Sequence, residues 1–175
     1  ANEVNNIAVG NLVRVCIKHN IKLIHISTDY VFDGNKNSPY SEGDKTNPIG
    51  TYGLSKSLGE NQILKSNIKA IIIRTSWLYS SYGKNFVKTI LRLSQEKNSI
   101  SVVNDQFGSP TIPSNLSEII YELIQQNKKG IFHVTGTTYI SRFDFALKIA
   151  ESFSLDKTLI QKVSTNDLNQ KISRP

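Results

Sequence analysis

The stretch "TYGLSKSLGE", residues 51–60, sets a tyrosine four positions before a lysine, Tyr52 and Lys56. On a helix that spacing places both side chains on one face, with Cβ atoms about 5–6 Å apart. A phenol titrates near pH 10 and is a poor acid-base group at neutrality unless a nearby positive charge favours the phenolate, and Lys56 is placed to supply that charge. A further hydroxyl, Thr28, follows the apolar run "KLIHIS" (22–27). A hydroxyl at the carboxyl end of a strand faces the crevice where open α/β sheets bind ligands. Together the three groups suit one reaction, in which Thr28 holds a carbonyl oxygen and Tyr52 protonates it as the ketone becomes an alcohol. The hydride comes from a cofactor, because no side chain supplies one. The bland alternative is an exposed helical pair, since a chain with seven tyrosines and many lysines produces this spacing by chance.

The elements that must position these groups alternate. Apolar residues at helical spacing (Val4, Ile7, Ala8, Leu12, Val15) mark a first helix, and "KLIHIS" reads as a short strand. A loop rich in Asp, Gly, Asn, Ser and Pro runs from Thr28 to Pro48, and structureless loops of that length are usually functional. A helix over about 49–65 then carries Tyr52 and Lys56. The strand "AIIIRT" (70–75) follows, continuously apolar as a strand covered on both faces should be. Further on the pattern predicts a helix over 85–96, a strand "SISVVN" (99–104) and a loop "DQFGSPTIP". Next come a helix capped by Ser114, a strand "IFHVTG" (131–136) and a helix capped by Ser141. The tail from 154 to 175 is polar and reads as having no element of its own. Helix–strand alternation predicts an α/β fold with a parallel sheet and helical crossovers.

Composition excludes several classes. With 38% hydrophobic and 20% charged residues the chain is ordinary for a globular protein, and no apolar run approaches the roughly 18 residues of a membrane span. The formal charge of +7 is dispersed, with only Lys128 and Lys129 adjacent, so a solvated surface is expected and not a nucleic-acid partner. The single cysteine, Cys16, sits on an apolar helical face and is expected to be buried; its isolation agrees with a reducing, cytoplasmic setting, and the first residues do not read as a secretory signal. Three isolated histidines give no metal-ligand spacing, so no metal is expected. The "GLSKS" stretch lacks the second glycine of a nucleophile elbow, which argues against a hydrolase.

Taken jointly and in order, "STDYVFDG" (27–34), the "YG.SK" pattern from Tyr52, "IRTSWLY" (73–79), "NF" (85–86) and "VVNDQFGSPT" (102–111) resemble the extended short-chain dehydrogenase/reductase superfamily. Within it they look most like the dTDP-4-dehydrorhamnose reductases, and the resemblance runs from the first residues to the final Arg174–Pro175. The resemblance implies a Rossmann-like, doubly wound parallel sheet, of which the later half is present, with a small substrate-binding portion. Residues 1–83 would form the later half of the NAD(P)-binding fold with its catalytic residues, and 84–175 mostly substrate-binding elements with a returning strand and helix, together one partial domain. It implies a catalytic set on Thr28, Tyr52 and Lys56, with Tyr52 and Lys56 also at the cofactor and Thr75 and Ser76 beside the nicotinamide. Thr28, Asp29, Tyr30, Trp77, Asn85 and Gln106 fall on the sugar-nucleotide side. Related 4,6-dehydratases carry an acidic residue at the position of Tyr30, so a tyrosine favours simple reduction. The implied activity is NADPH-dependent reduction of a nucleotide-linked 4-keto-6-deoxy sugar, with NADH and a homodimer left open.

One departure qualifies the resemblance. The superfamily holds its dinucleotide on a glycine-rich turn after the first strand, and none of the ten glycines here forms one. The expectation is an interior fragment that lacks the amino-terminal dinucleotide-binding half and a short carboxyl-terminal stretch. Two rival readings stay open: a sugar-nucleotide epimerase or dehydratase, and a non-catalytic NADP-binding subunit resembling the regulatory subunit of methionine adenosyltransferase. Arg74 reads as a buried ion-pair partner and is left out of the site; Trp77 reads equally as core, and Gln106 equally as loop structure.

Overall fold

The structure is a computed structural model that describes residues 1–36 and 38–168. The chain forms two compact units. One comprises Ala1–Thr75 and Ser117–Val134; the other comprises Ser76–Leu116 and residues 135–168. The family likeness at Arg174–Pro175 lies outside the described residues.

In the first unit a π-helical turn, Glu3–Ile7, leads into α1 (Ala8–His19). Helix α1 stops at Asn20, whose left-handed backbone (φ 51°) is one that asparagine tolerates. Strand β1 (Leu23–Thr28) pairs in parallel with β2 (Ala70–Thr75), and β2 pairs in parallel with β5 (Gly130–His133), giving the order β1-β2-β5. Helix α2 (Thr51–Leu64) is the crossover from β1 to β2. All six residues of β2 are buried, as its unbroken apolar run predicts, and Ile71, Ile72 and Ile73 are almost wholly excluded from solvent. Each such side chain contributes about 1.5–3 kcal/mol of transfer free energy. Val9 and Val13 of α1 and Ile63 of α2 pack on Ala70 and Ile72, and Cys16 is buried on the same helix as expected.

The second unit contains α3 (Phe86–Glu96), β3 (Ile100–Val103), β4 (Phe107–Gly108), β6 (Ile140–Ser141), α5 (Arg142–Ser152) and β7 (Ile160–Val163). Its core gathers Ile90, Ile100, Val102, Phe145, Ala146, Ile149 and Ile160. Ser141 caps α5 as predicted, accepting from the Asp144 N–H at 3.0 Å. Helix α4 (Pro113–Gln125) begins in this unit and continues into the first.

Two expectations need correction. Helix α4 starts at Pro113, so Ser114 is inside its first turn and is not the cap; proline's fixed φ suits the first helical position. The polar tail holds a strand: β7 pairs in parallel with β3, Ile100 opposite Ile160. Only its first residue is fully buried, so its composition gives no apolar run to read. Among the described residues no helix is long and apolar enough to cross a membrane.

Candidate active site

Strand β1 delivers Thr28 to the carboxyl end of the sheet, directly in register with Thr75 at the end of β2. Neighbouring strands lie about 4.8 Å apart, so two hydroxyl-bearing residues sit side by side at one sheet end. Thr28 then caps its own exit from the strand. The Tyr30 N–H donates to Thr28 Oγ1 (3.3 Å) at the start of a 3-10 turn, Asp29–Val31, while Thr28 Oγ1 donates to Asp29 Oδ1 (2.9 Å). The Thr75 hydroxyl is buried with no hydrogen-bond partner among the described residues, and so is that of Ser27.

Helix α2 brings Tyr52 to the same place. Gly53 lies flush against the 3-10 turn: a Cβ built there would stand 2.0 Å from the Tyr30 carbonyl oxygen. That close approach sets the Tyr52 and Tyr30 rings edge to face, centroids 5.7 Å apart. Tyr52 remains 49% exposed, so a ligand can reach it. Burial pushes its phenol above the ordinary value, a hydrogen bond with Thr28 pulls the other way, and Asp29 and Tyr30 add to the rise. Lys56 shares the Tyr52 face of α2, but its ammonium donates to the Ile26 carbonyl oxygen at 2.5 Å. Burial lowers Lys56 from its usual value and the Glu60 carboxylate opposes that. The expected lowering of Tyr52 by Lys56 is not what the structure shows: the groups that shift the phenol are its own burial, Thr28, Asp29 and Tyr30, while the Lys56 ammonium is turned to the Ile26 carbonyl.

Beneath α2, Glu60 and Arg74 form a buried, two-pronged ion pair: Arg74 Nε donates to Glu60 Oε1 (3.0 Å) and Nη2 to Oε2 (2.7 Å). This bears out the reading of Arg74 as an ion-pair partner. Glu60 itself escaped the sequence analysis, although it continues the Tyr52–Lys56 face by four residues and a lone arginine in an apolar strand demands a buried anion. The long loop after Thr28 is also more ordered than its composition suggests. Asp33 accepts from the Tyr40 hydroxyl (2.7 Å), the Asn47 amide (2.9 Å) and the Asn35 N–H (3.0 Å), and these bonds hold its carboxyl down at about 2.

The other candidate residues belong to the second unit. The Ser76 hydroxyl donates to the Ser109 carbonyl (2.7 Å). Trp77 has a left-handed backbone (φ 45°), unusual for a bulky residue, and its indole is packed by the Arg142 guanidinium, 3.6 Å from the ring centroid. Gly108 also lies against the indole, where a Cβ would come within 2.4 Å of it. Asn85 is committed to backbone, its Oδ1 capping α3 at the Lys88 N–H (3.1 Å) and its Nδ2 donating to the Ser80 carbonyl (2.7 Å). Gln106 is buried and donates to the Thr165 hydroxyl (3.0 Å). The first unit thus gathers Thr28, Asp29, Tyr30, Tyr52, Lys56 and Thr75, and the second carries Ser76, Trp77, Asn85 and Gln106.

Comparison with known proteins decides the family, for the family described as the RmlD substrate binding domain matches residues 1–175 throughout. The chain belongs to the RmlD substrate-binding domain family. Relatives of this RmlD-family chain include a dTDP-4-dehydrorhamnose reductase of Aggregatibacter actinomycetemcomitans, 40% identical over 172 residues, a match that covers 95% of the chain and 57% of the relative. The spore coat polysaccharide biosynthesis protein SpsK of Bacillus subtilis is 43% identical over 152 residues, covering 87% of the chain and 53% of that protein. A crystal structure of a dTDP-4-dehydrorhamnose reductase from Bacillus anthracis in complex with NADP superposes with a TM-score of 0.93 at 41% identity, covering 98% of the chain and 60% of that structure. The RmlD-family chain therefore spans little more than half the length of these relatives. Its parallel α/β architecture agrees with the Rossmann-like expectation.

Proposed function

We propose that this chain carries the catalytic and substrate-binding portion of an NADPH-dependent reductase acting on a dTDP-linked 4-keto-6-deoxy sugar. The observation that supports it most is the convergence of Thr28, Tyr52 and Thr75 at one end of the β1-β2 sheet, with Lys56 on the Tyr52 face of α2. The named activities of the relatives point the same way.

In this reading Thr28 and Tyr52 hold the keto oxygen, and Tyr52 passes its proton to that oxygen as negative charge develops there. A phenol held above its ordinary value stays protonated at neutrality, as an acid awaiting its substrate must be. The bound nicotinamide would supply the hydride. The residues present fit such a group: Thr75 offers a buried hydroxyl with its hydrogen-bonding capacity unspent, and Lys56 lies one helical turn beyond Tyr52 on the same helix face. Asp29 and Tyr30 follow directly after Thr28 and are assigned to the sugar. Trp77 and Gln106 are assigned to the nucleotide-sugar side, and Ser76 to the nicotinamide side. Asn85 acts there indirectly, by holding the 80–85 turn.

The test is NADPH oxidation on adding dTDP-4-keto-6-deoxy sugar to the full polypeptide that carries this sequence, for wild type and Tyr52→Phe. Turnover in the wild type that falls by roughly 100-fold or more in the variant, with cofactor affinity retained, is the expected result. Turnover of the sugar without net NADPH consumption would instead identify an epimerase or dehydratase.

A further inference from the structure

One side chain that the proposed chemistry leaves idle grips the long loop between Thr28 and Tyr52. His133 ends β5, and its main-chain N–H donates to Glu42 Oε1 at 3.0 Å. Its ring lies between two partners: Nε2 is 3.3 Å from Arg74 Nη1, and Nδ1 is 3.1 Å from the Tyr40 carbonyl oxygen. A guanidinium only donates and a carbonyl only accepts. Both contacts are hydrogen bonds in a single form of the ring, the neutral imidazole with its proton on Nδ1 and its lone pair on Nε2. The tautomer is thereby assigned from its partners.

The same cluster seats the beginning of the loop. Phe32, four residues past Thr28, is buried with its ring stacked on Tyr40 (4.2 Å) and edge-on to His133 (5.7 Å), and Arg74 lies 5.0 Å from its centroid. The loop closes where the Asn47 N–H donates to the Val31 carbonyl (2.9 Å), and α2 starts four residues later. What holds Tyr40 and Glu42 in place thus holds the segment that joins the two candidate catalytic hydroxyls.

We propose that His133 is a positioning residue, which in its neutral Nδ1–H form latches the loop 32–47 against Arg74 and so fixes Tyr52 relative to Thr28, and which releases the loop when its ring is protonated. The positioning role rests on the reading that Thr28 and Tyr52 act together. A second ring proton points Nε2–H at an arginine that can only donate, which turns an attraction into a repulsion. The charged and titratable groups facing the ring are Arg74 of β2, Glu60 of α2, and Glu42 and Tyr40 of the loop. Burial lowers His133 from its usual value; Glu42 opposes that and Arg74 adds to it. The neutral form is therefore the working form at pH 7, and the latch opens on the acid side.

The experiment compares wild type, His133→Ala and His133→Asn in the full polypeptide. Asparagine keeps a donor for the Tyr40 carbonyl and does not titrate. Hydrogen exchange of the hydrogen-bonded Ser41, Asp44 and Asn47 amides is followed from pH 7.5 to 5, with the exchange rates corrected for intrinsic pH dependence, and NADPH oxidation is measured alongside. The expected result is loop protection that falls on acidification in wild type and is absent at every pH in His133→Ala. In His133→Asn it is retained and independent of pH. Expected kcat falls by about tenfold in the alanine variant with cofactor KM unchanged, and returns to within about threefold in the asparagine variant. Equal protection at pH 5 and 7.5 in wild type, or an Nε2–H ring in its 15N spectrum, overturns the latch. Intact protection in His133→Ala overturns it as well. A wild type that shows the exchange profile yet reduces no keto sugar overturns the catalytic reading and leaves the latch standing.

Discussion

Removing the Glu60 carboxylate while leaving Arg74 in place is the sharpest perturbation of the framework under Tyr52. The two side chains are only 2% and 4% exposed, and both oxygens of the carboxylate are engaged. In Glu60→Ala the guanidinium keeps a neutral imidazole at 3.3 Å and the Phe32 ring, but no carboxylate in contact. Losing one partner of a buried pair costs about 3–5 kcal/mol, because the remaining charge stays desolvated. Against a typical total of about 5–15 kcal/mol this is a large share. Glu60→Gln preserves the shape and one acceptor, so its cost falls nearer 2 kcal/mol. Replacing both residues by methionine removes the desolvated charges together, and the double variant is expected to lose far less than the sum of the two single losses. Urea unfolding of wild type, Glu60→Ala, Glu60→Gln, the two single methionine variants and the double variant, with unchanged m-values, measures each quantity. A Glu60→Ala loss below about 1 kcal/mol, or a double variant as unstable as the summed singles, refutes the reasoning.

Gly53→Ala sets helix propensity against contact. Alanine is favoured in a helix by about 1 kcal/mol, but its Cβ would stand 2.0 Å from the Tyr30 carbonyl. The clash is expected to win, lowering the unfolding midpoint and shifting Tyr52 away from Thr28; a gain in stability would show that the turn yields freely. His25 supplies a pH dependence. Burial holds its pKa down at about 4, with Lys56 lowering it further and Glu60 opposing. The unfolded chain binds a proton near pH 6.5, so this contribution is present above that pH and is lost as pH falls to about 4, by about 3 kcal/mol in all. An NMR titration of the His25 ring with an apparent pKa near 6.5 would contradict it.

The parts of the fold read correctly from sequence are those in which local pattern and tertiary environment agree. "AIIIRT" is continuously apolar and is buried along its whole length, so its strand was legible to the residue. Ser141 caps because an Asp144 N–H lies where a first-turn donor should. Strand β7 was illegible because its ladder partner, β3, lies sixty residues earlier and only its first residue is buried. At the site, residue types and spacing located Thr28, Tyr52 and Lys56 on one unit, but not the direction in which Lys56 reaches. That direction depends on the Ile26 carbonyl, thirty residues away, which no spacing rule contains. The left-handed backbone at Trp77 was invisible for the opposite reason: tryptophan is among the residues least suited to it, so no composition signals it.

The separation in sequence of the contacts around Arg74 has a consequence for synthesis. Its ion pair with Glu60 spans 14 residues, whereas His133 meets Arg74 across 59 and Glu42 across 91. At a ribosomal pace of about 5–20 residues per second, Glu42 waits roughly 5–20 s for its partner to be made. The ion pair can close soon after β2 emerges, while Phe32 and Tyr40 await the arrival of β5. Residues 76–116 fall in that interval and belong to the other unit. Nascent chains stalled before Gly130 are thus expected to present the loop after Thr28 to chaperones and proteases, and chains stalled well beyond Val134 to protect it.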